Sequence, residues 1–163
     1  MAESVQGGRE RVAAAAAALG LAVEFVRRMA ARSLEEAAAL LGVTPADIVK
    51  SLVVKRSDDT YLFALIPGDR QISWPKLRAL VGVNKLQLPE PSLALEATGF
   101  ERGTITPLGS RTAWPVYADT SMVGKRVSMG AGEHGYSLFV QADELLAALS
   151  ATVADISEPL APR

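Results

Sequence analysis

Apolar and polar positions along the chain switch repeatedly between a helical period and a strand period, and the switches mark the elements. From Arg9 to Leu19 alanine dominates, which predicts a helix, with Gly20 where a left-handed C-cap belongs. Leu21, Val23 and Phe25 then alternate as a strand does. Ser33-Leu34-Glu35-Glu36 has capping-box spacing, and Leu34, Ala37, Ala38 and Leu41 share one helical face before Gly42. Thr44-Pro45 predicts a second start, with a hydroxyl cap and proline at the first position of a short helix ending near Val49.

Ser51–Arg56 and Thr60–Ile66 are rich in β-branched and aromatic residues around Ser57-Asp58-Asp59, which predicts a hairpin. Pro67-Gly68 breaks it, and Ser73 caps a predicted helix carrying Leu77, Leu80 and Val81 up to Gly82. A short strand at Leu86–Leu88 and a helix capped by Ser92 and ended by Gly99 follow. Gly103, Pro107, Gly109 and Pro115 then predict a long loop. Strands are expected at Val116–Asp119, Lys125–Met129 and Tyr136–Val140, and a last helix from Asp143 to Leu149. Interleaved helices and strands, several strands joined directly by hairpins, predict an α+β fold with a mixed sheet.

The 163 residues suffice for one domain with a real core, and nothing in the pattern marks a linker or repeat. We expect small polar residues 1–8 and the proline-containing stretch 157–163 to be tails around a domain at 9–156. The longest apolar run, Val12 to Val23, has 12 residues, too few for a helical membrane span, and we expect a cytoplasmic protein without a membrane partner.

Charge and composition narrow the chemistry. There is no cysteine and one histidine, which removes thiol nucleophiles and thiolate or HExxH zinc sites. A formal net charge of −1 argues against a broad grip on duplex DNA and leaves room for a local basic patch. Gly130-Ala131-Gly132-Glu133-His134-Gly135 matches the dinucleotide-binding spacing. It is followed by strand-like Tyr136–Val140 instead of a helix, so a glycine-rich hairpin turn, able to present backbone N–H groups, is the better reading. His134 has neither a G-x-S-x-G elbow nor a local partner to support a Ser-His-Asp triad. Lys50 stands before the apolar Leu52-Val53-Val54, where a snorkelling lysine is the ordinary explanation. Arg102, Arg111, Lys125 and Arg126 are available for phosphate contacts.

Three segments taken together change that picture. Ile48-Val49-Lys50-Ser51-Leu52-Val53-Val54, then Gly99-Phe100-Glu101-Arg102-Gly103-Thr104-Ile105-Thr106-Pro107-Leu108-Gly109, then the Gly130–Gly135 loop stand in the order and spacing of the YbaK/ProX family. From about Arg11 to Ile156 the chain resembles these aminoacyl-tRNA editing domains, relatives of the prolyl-tRNA synthetase insertion domain. The resemblance implies an α+β domain with a partly barrel-like mixed sheet and no cofactor or metal. It implies hydrolysis of mischarged tRNA, with tRNA(Pro) carrying Cys or Ala as the expected substrate and prolyl-tRNA synthetase as a possible partner. By the same resemblance Lys50 is the essential lysine against the tRNA 3′ end. Gly103, Thr104, Thr106, Pro107 and Gly109 belong to the pocket-shaping G-x-x-x-P loop, and Gly130, Ala131 and Gly132 to the opposite wall. Ser137 falls where some Cys-specific members carry an acidic residue, a departure that counts against Cys specificity. An aminoacyl ester is already activated, so oriented water and backbone donors to the oxyanion suffice for a chain without strong nucleophiles. The alternative is a non-catalytic module that keeps the pocket and binds an aminoacyl group, a nucleotide or a protein.

Overall fold

The computed structural model describes residues 7–160. Ten strands and five helices alternate through it, and the best-marked sequence signals are realised in detail. The helix α2 (Leu34–Leu41) starts where Ser33 accepts a hydrogen bond from the Glu36 N–H at 3.1 Å and ends at Gly42, φ 72°. The helix α3 (Trp74–Val81) is capped by Ser73 and ended by Gly82, φ 81°. The first helix, α1, spans Gly8–Ala18 with Leu19 as its C-cap. The helix α4 (Pro91–Thr98) corrects the expected start: Glu90, not Ser92, is its N-cap, because Pro91 takes the first helical position. After Thr44 there is only a 3₁₀ turn, Pro45–Asp47, held by a capping box between Thr44 and Asp47. The last helix, α5, is Ala142–Ala148.

The strands are β1 (Glu24–Arg27), β2 (Val49–Arg56), β3 (Tyr61–Pro67), β4 (Arg70–Ile72), β5 (Leu86–Gln87), β6 (Val116–Asp119), β7 (Arg126–Gly130), β8 (Tyr136–Gln141), β9 (Thr152–Ala154) and β10 (Ser157–Pro159). The main sheet runs β5-β2-β3-β6-β9; its first pairs are antiparallel and β3-β6 and β6-β9 are parallel. A second sheet runs β1-β8-β7, and β4 pairs with β10. The α+β, mixed-sheet expectation holds, while the partly barrel-like closure does not: the sheets remain separate, touching through one parallel bridge between Ile48 and Ser128.

All seven residues of β3 are buried, so it divides the interior. Phe63 and Leu65 join one apolar cluster with Val12, Phe100, Leu108, Leu138 and Leu145. Leu62, Ala64 and Ile66 join another with Leu77 and Ile156. A side chain's side of the sheet thus follows its parity along the strand.

The domain limits need adjustment at both ends. Gly8 belongs to α1, and residues 1–6 of the expected N-terminal tail lie outside the described residues. The tail expected from 157 starts later: Ser157 is fully buried and pairs with Ile72, so residues 157–159 belong to the domain. Residues 161–163 lie outside the described part. Among the described residues no helix is long and apolar enough to cross a membrane.

Candidate active site

A cavity of about 500 Å³ opens between the two larger sheets, where β2 passes β7. That volume falls in the range of small-molecule sites. Its floor is one face of the β1-β8-β7 sheet. Ser137 pairs with Val26 on one side and Gly130 on the other, so Ser137, Gly130 and Ser128 share the face opposite Val127, Met129, Leu138 and Val140, which enter the core. Arg28, two residues past Val26, reaches the same face, and its Nε donates to the Ser137 hydroxyl at 3.1 Å. The walls come from the start of β2, from Ala37 and Leu41 of α2, from Gly103 and Ile105, from Leu88 and Pro89 before α4, and from Ala94 within it.

The lining is mainly apolar, with three cations (Arg28, Lys50 and Arg102) and no carboxylate from the described residues. Such a wall favours an anionic or carbonyl-rich ligand. Ser51 also lines it, and its buried hydroxyl has no partner. An unpaired buried hydroxyl is costly, and a bound polar group would relieve that cost.

Lys50 occupies the seam. It shares a β2 face with Leu52 and Val54, which pack into the second cluster, and its Nζ donates to the Arg70 carbonyl at 2.7 Å. That bond uses one of three ammonium donors. Burial pushes the Lys50 ammonium below the ordinary lysine range, and Asp69 opposes the shift.

The ten residues singled out by resemblance divide into two groups. Lys50, Gly103, Gly130 and Ser137 line the cavity. Thr104, Thr106, Pro107, Gly109, Ala131 and Gly132 do not; they hold the two loops in shape. The Thr104 hydroxyl donates to the Glu101 carbonyl at 2.8 Å, and the Thr106 hydroxyl accepts from the Leu108 N–H at 3.2 Å. The Gly132 N–H donates to the Thr104 carbonyl at 2.9 Å, tying one loop to the other. Ala131 and Pro107 are buried. A Cβ on Gly130 would stand 2.7 Å from the Ile105 carbonyl oxygen, so only glycine lets the loops approach this closely.

Gly130–Gly135 connects β7 to β8 as a turn. His134 is exposed, 3.4 Å from Glu101 and outside the cavity lining, so no triad forms around it. Of the other basic candidates, Arg102 alone lines the cavity. Arg111 donates to the Glu96 carbonyl, and Arg126 pairs with Glu24.

Two arginines tied to the site carry no motif in the sequence. Arg28 could have been sought from the strand alternation that leads into it. Arg11 had no such signal, since its role depends on contacts roughly a hundred positions away. From α1 its guanidinium donates to the carbonyls of Gly99 (2.9 Å), Thr98 (3.1 Å) and Gly109 (2.5 Å) and lies 4.4 Å over the Phe100 ring. It clamps both ends of the Gly99–Gly109 segment.

A mixed-sheet α+β domain with a cationic cavity between two glycine loops defines a class, and comparison with known proteins names it. The family described as the aminoacyl-tRNA editing domain matches residues 29–148. The chain belongs to this family. It is 40% identical over 86 residues to a proline–tRNA ligase of Thermosipho melanesiensis, covering 53% of this chain and 15% of the ligase. It is 31% identical over 137 residues to the ligase of Bacillus pumilus, covering 83% of this chain and 23% of that protein. The chain thus spans less than a quarter of either ligase. The solved structure of a candidate trans-editing enzyme for prolyl tRNA synthetase superposes with a TM-score of 0.86 at 31% identity, covering 95% of this chain and 99% of that one.

Proposed function

We propose that the protein acts in trans on mischarged tRNA(Pro), removing Ala or Cys from its 3′ end. The observation that carries the proposal is the cavity itself, three cations and two glycine loops around an apolar space, with no carboxylate from the described residues lining it. The terminal adenosine and its aminoacyl ester enter this space. Lys50, with two donors beyond its bond to Arg70, pairs with the terminal phosphate or ribose. The backbone at Gly103 and Gly130 approaches the ester carbonyl, with N–H groups directed at the developing oxyanion.

Water attacks the carbonyl carbon and the bond from that carbon to the ribose oxygen breaks. One proton of the water passes to the ribose oxygen, restoring the hydroxyl, and the amino acid leaves as its carboxylate with release of the second proton. Positioning and charge stabilisation supply the acceleration. Editing answers a physical limit: a pocket that accepts proline gains only about 1–3 kcal/mol against a smaller apolar side chain. Such a synthetase needs a second site for proofreading, in its own chain or in a separate protein.

Single-turnover deacylation of Ala-, Cys- and Pro-tRNA(Pro), comparing wild type with Lys50→Ala, tests this. We expect Ala or Cys to be released faster than Pro, and the variant to lose roughly 10²-fold or more in rate with an unchanged circular dichroism spectrum. Release of no mischarged substrate above the buffer rate would overturn the proposal.

A further inference from the structure

Beyond the cavity, the end of β2 opposite Lys50 carries a second feature. Lys55, Arg56, Ser57, Lys85 and Gln87 line a dent of about 120 Å³. Three of the five are cations, the others are a hydroxyl and an amide, and no carboxylate from the described residues lines it. In a chain of net charge −1 this is a local concentration of positive charge. Lys55 pairs with Asp59 at 3.4 Å, but the Asp59 side chain is 85% exposed, and such a pair neutralises little.

Strand pairing fixes where the dent lies. Lys55 stands opposite Gln87. By alternation Lys55 is on the same face of β2 as Ser51 and Val53, both of which line the large cavity. Pro89, two residues past Gln87, lines that cavity too. The step from Val53 to Lys55 is about 7 Å at strand rise, comparable to one nucleotide of an extended strand. Arg56 continues the opposite face, that of Lys50 and Leu52, which also line the cavity, so the dent adjoins the cavity along the β2–β5 ribbon.

We propose that this dent binds the phosphodiester one nucleotide upstream of the terminal phosphate assigned to Lys50, so that the single-stranded 3′ end of the RNA leaves the cavity along β5. The ligand class is single-stranded RNA backbone, recognised by charge without base readout. The inference rests on the deacylase reading, since it needs an aminoacylated RNA end in the cavity.

The test compares two short substrates, an aminoacyl-adenosine, which has no upstream phosphate, and the same aminoacyl group on a cytidine-cytidine-adenosine trinucleotide. The proteins are wild type, Lys85→Glu and the double variant Lys55→Glu/Lys85→Glu. On the trinucleotide we expect kcat/KM to fall roughly three- to tenfold per substitution, carried by KM. The slope of log KM against log salt should shrink by roughly 0.7 for each lysine replaced. Aminoacyl-adenosine should be turned over alike by all three proteins. Equal loss on both substrates, or no loss on either, would overturn the inference while leaving the deacylase reading intact. If wild type hydrolyses neither short substrate nor mischarged tRNA(Pro), the deacylase reading is what fails. Fluorescence anisotropy of the uncharged trinucleotide then still decides the dent, because equal affinity for wild type and the double variant would refute it.

Discussion

The two glycine-rich loops of the site are built alike, each with a front and a back. Gly103 and Gly130 at the front line the cavity. Gly109 and Gly132 at the back press on α1. A Cβ on Gly109 would stand 2.9 Å from the Arg11 carbonyl oxygen, and one on Gly132 would stand 2.7 Å from that of Gly8. Both back glycines also have positive φ, 77° and 83°. Within one short motif, then, neighbouring glycines serve different ends: Gly130 lets the two loops meet at the cavity wall, and Gly109 and Gly132 let a helix come close enough to hold them. A motif shared across a family can be retained for either reason.

The comparison can be broken by substituting one residue at a time. The largest effect is expected at the front. Gly130→Ala drives a methyl against the Ile105 carbonyl and moves the loop that faces the ester, and a displacement near 1 Å costs about 10²-fold in rate. Single-turnover deacylation should show that loss in the folded protein, beside a destabilisation of about 1–3 kcal/mol from the clash with the Ile105 carbonyl. At the back the stability cost comes without the rate loss. Gly109→Ala meets both an unfavourable φ and the Arg11 backbone, and should destabilise the fold by about 2–3 kcal/mol. Denaturant unfolding should record that loss, and the protein remaining folded should deacylate at close to the wild-type rate. Equal activity losses in the two variants would erase the distinction between front and back.

A third site, away from both loops, gives the smallest effect and calibrates the others. Burial by itself would raise the Asp119 carboxyl, but hydrogen bonds from Ser121, the Ile156 N–H and Ser157 outweigh it and hold the group below the ordinary aspartate range. A depressed carboxyl contributes stability above its unfolded value, near 3.9, and loses it as pH falls through the lower folded value. Unfolding free energy should therefore decline below about pH 4 in wild type and decline less steeply in Asp119→Asn. At pH 7 the variant should be weaker by about 1 kcal/mol, measured by urea titration.

Local chemistry written in adjacent residues was readable in advance. The Ser33 and Ser73 caps, the Gly42 and Gly82 stops and the β2–β3 hairpin depend on neighbours within a few positions, and each stands where expected. The strands β4, β9 and β10 were not foreseen, because three-residue strands have too short a pattern to show a period and exist only through distant partners. The site divides similarly. Lys50 and the glycines were found through resemblance to other chains, since Lys50 alone reads as a strand-end lysine. Arg28 and Arg11 act through contacts with Ser137 and with the Gly99–Gly109 segment, which only the folded topology creates.

The strand β10 has a practical consequence for anyone handling the protein. Arg70, whose carbonyl holds the Lys50 ammonium, also reaches across to the Ser157 hydroxyl at 2.5 Å, while Lys76 donates to the Ser157 carbonyl at 3.0 Å. A truncation placed before Ser157 would therefore remove a brace from the backbone that steadies Lys50. An affinity handle, a fluorophore or a fusion junction belongs beyond Pro159; set closer, it would turn a cloning decision into an active-site perturbation.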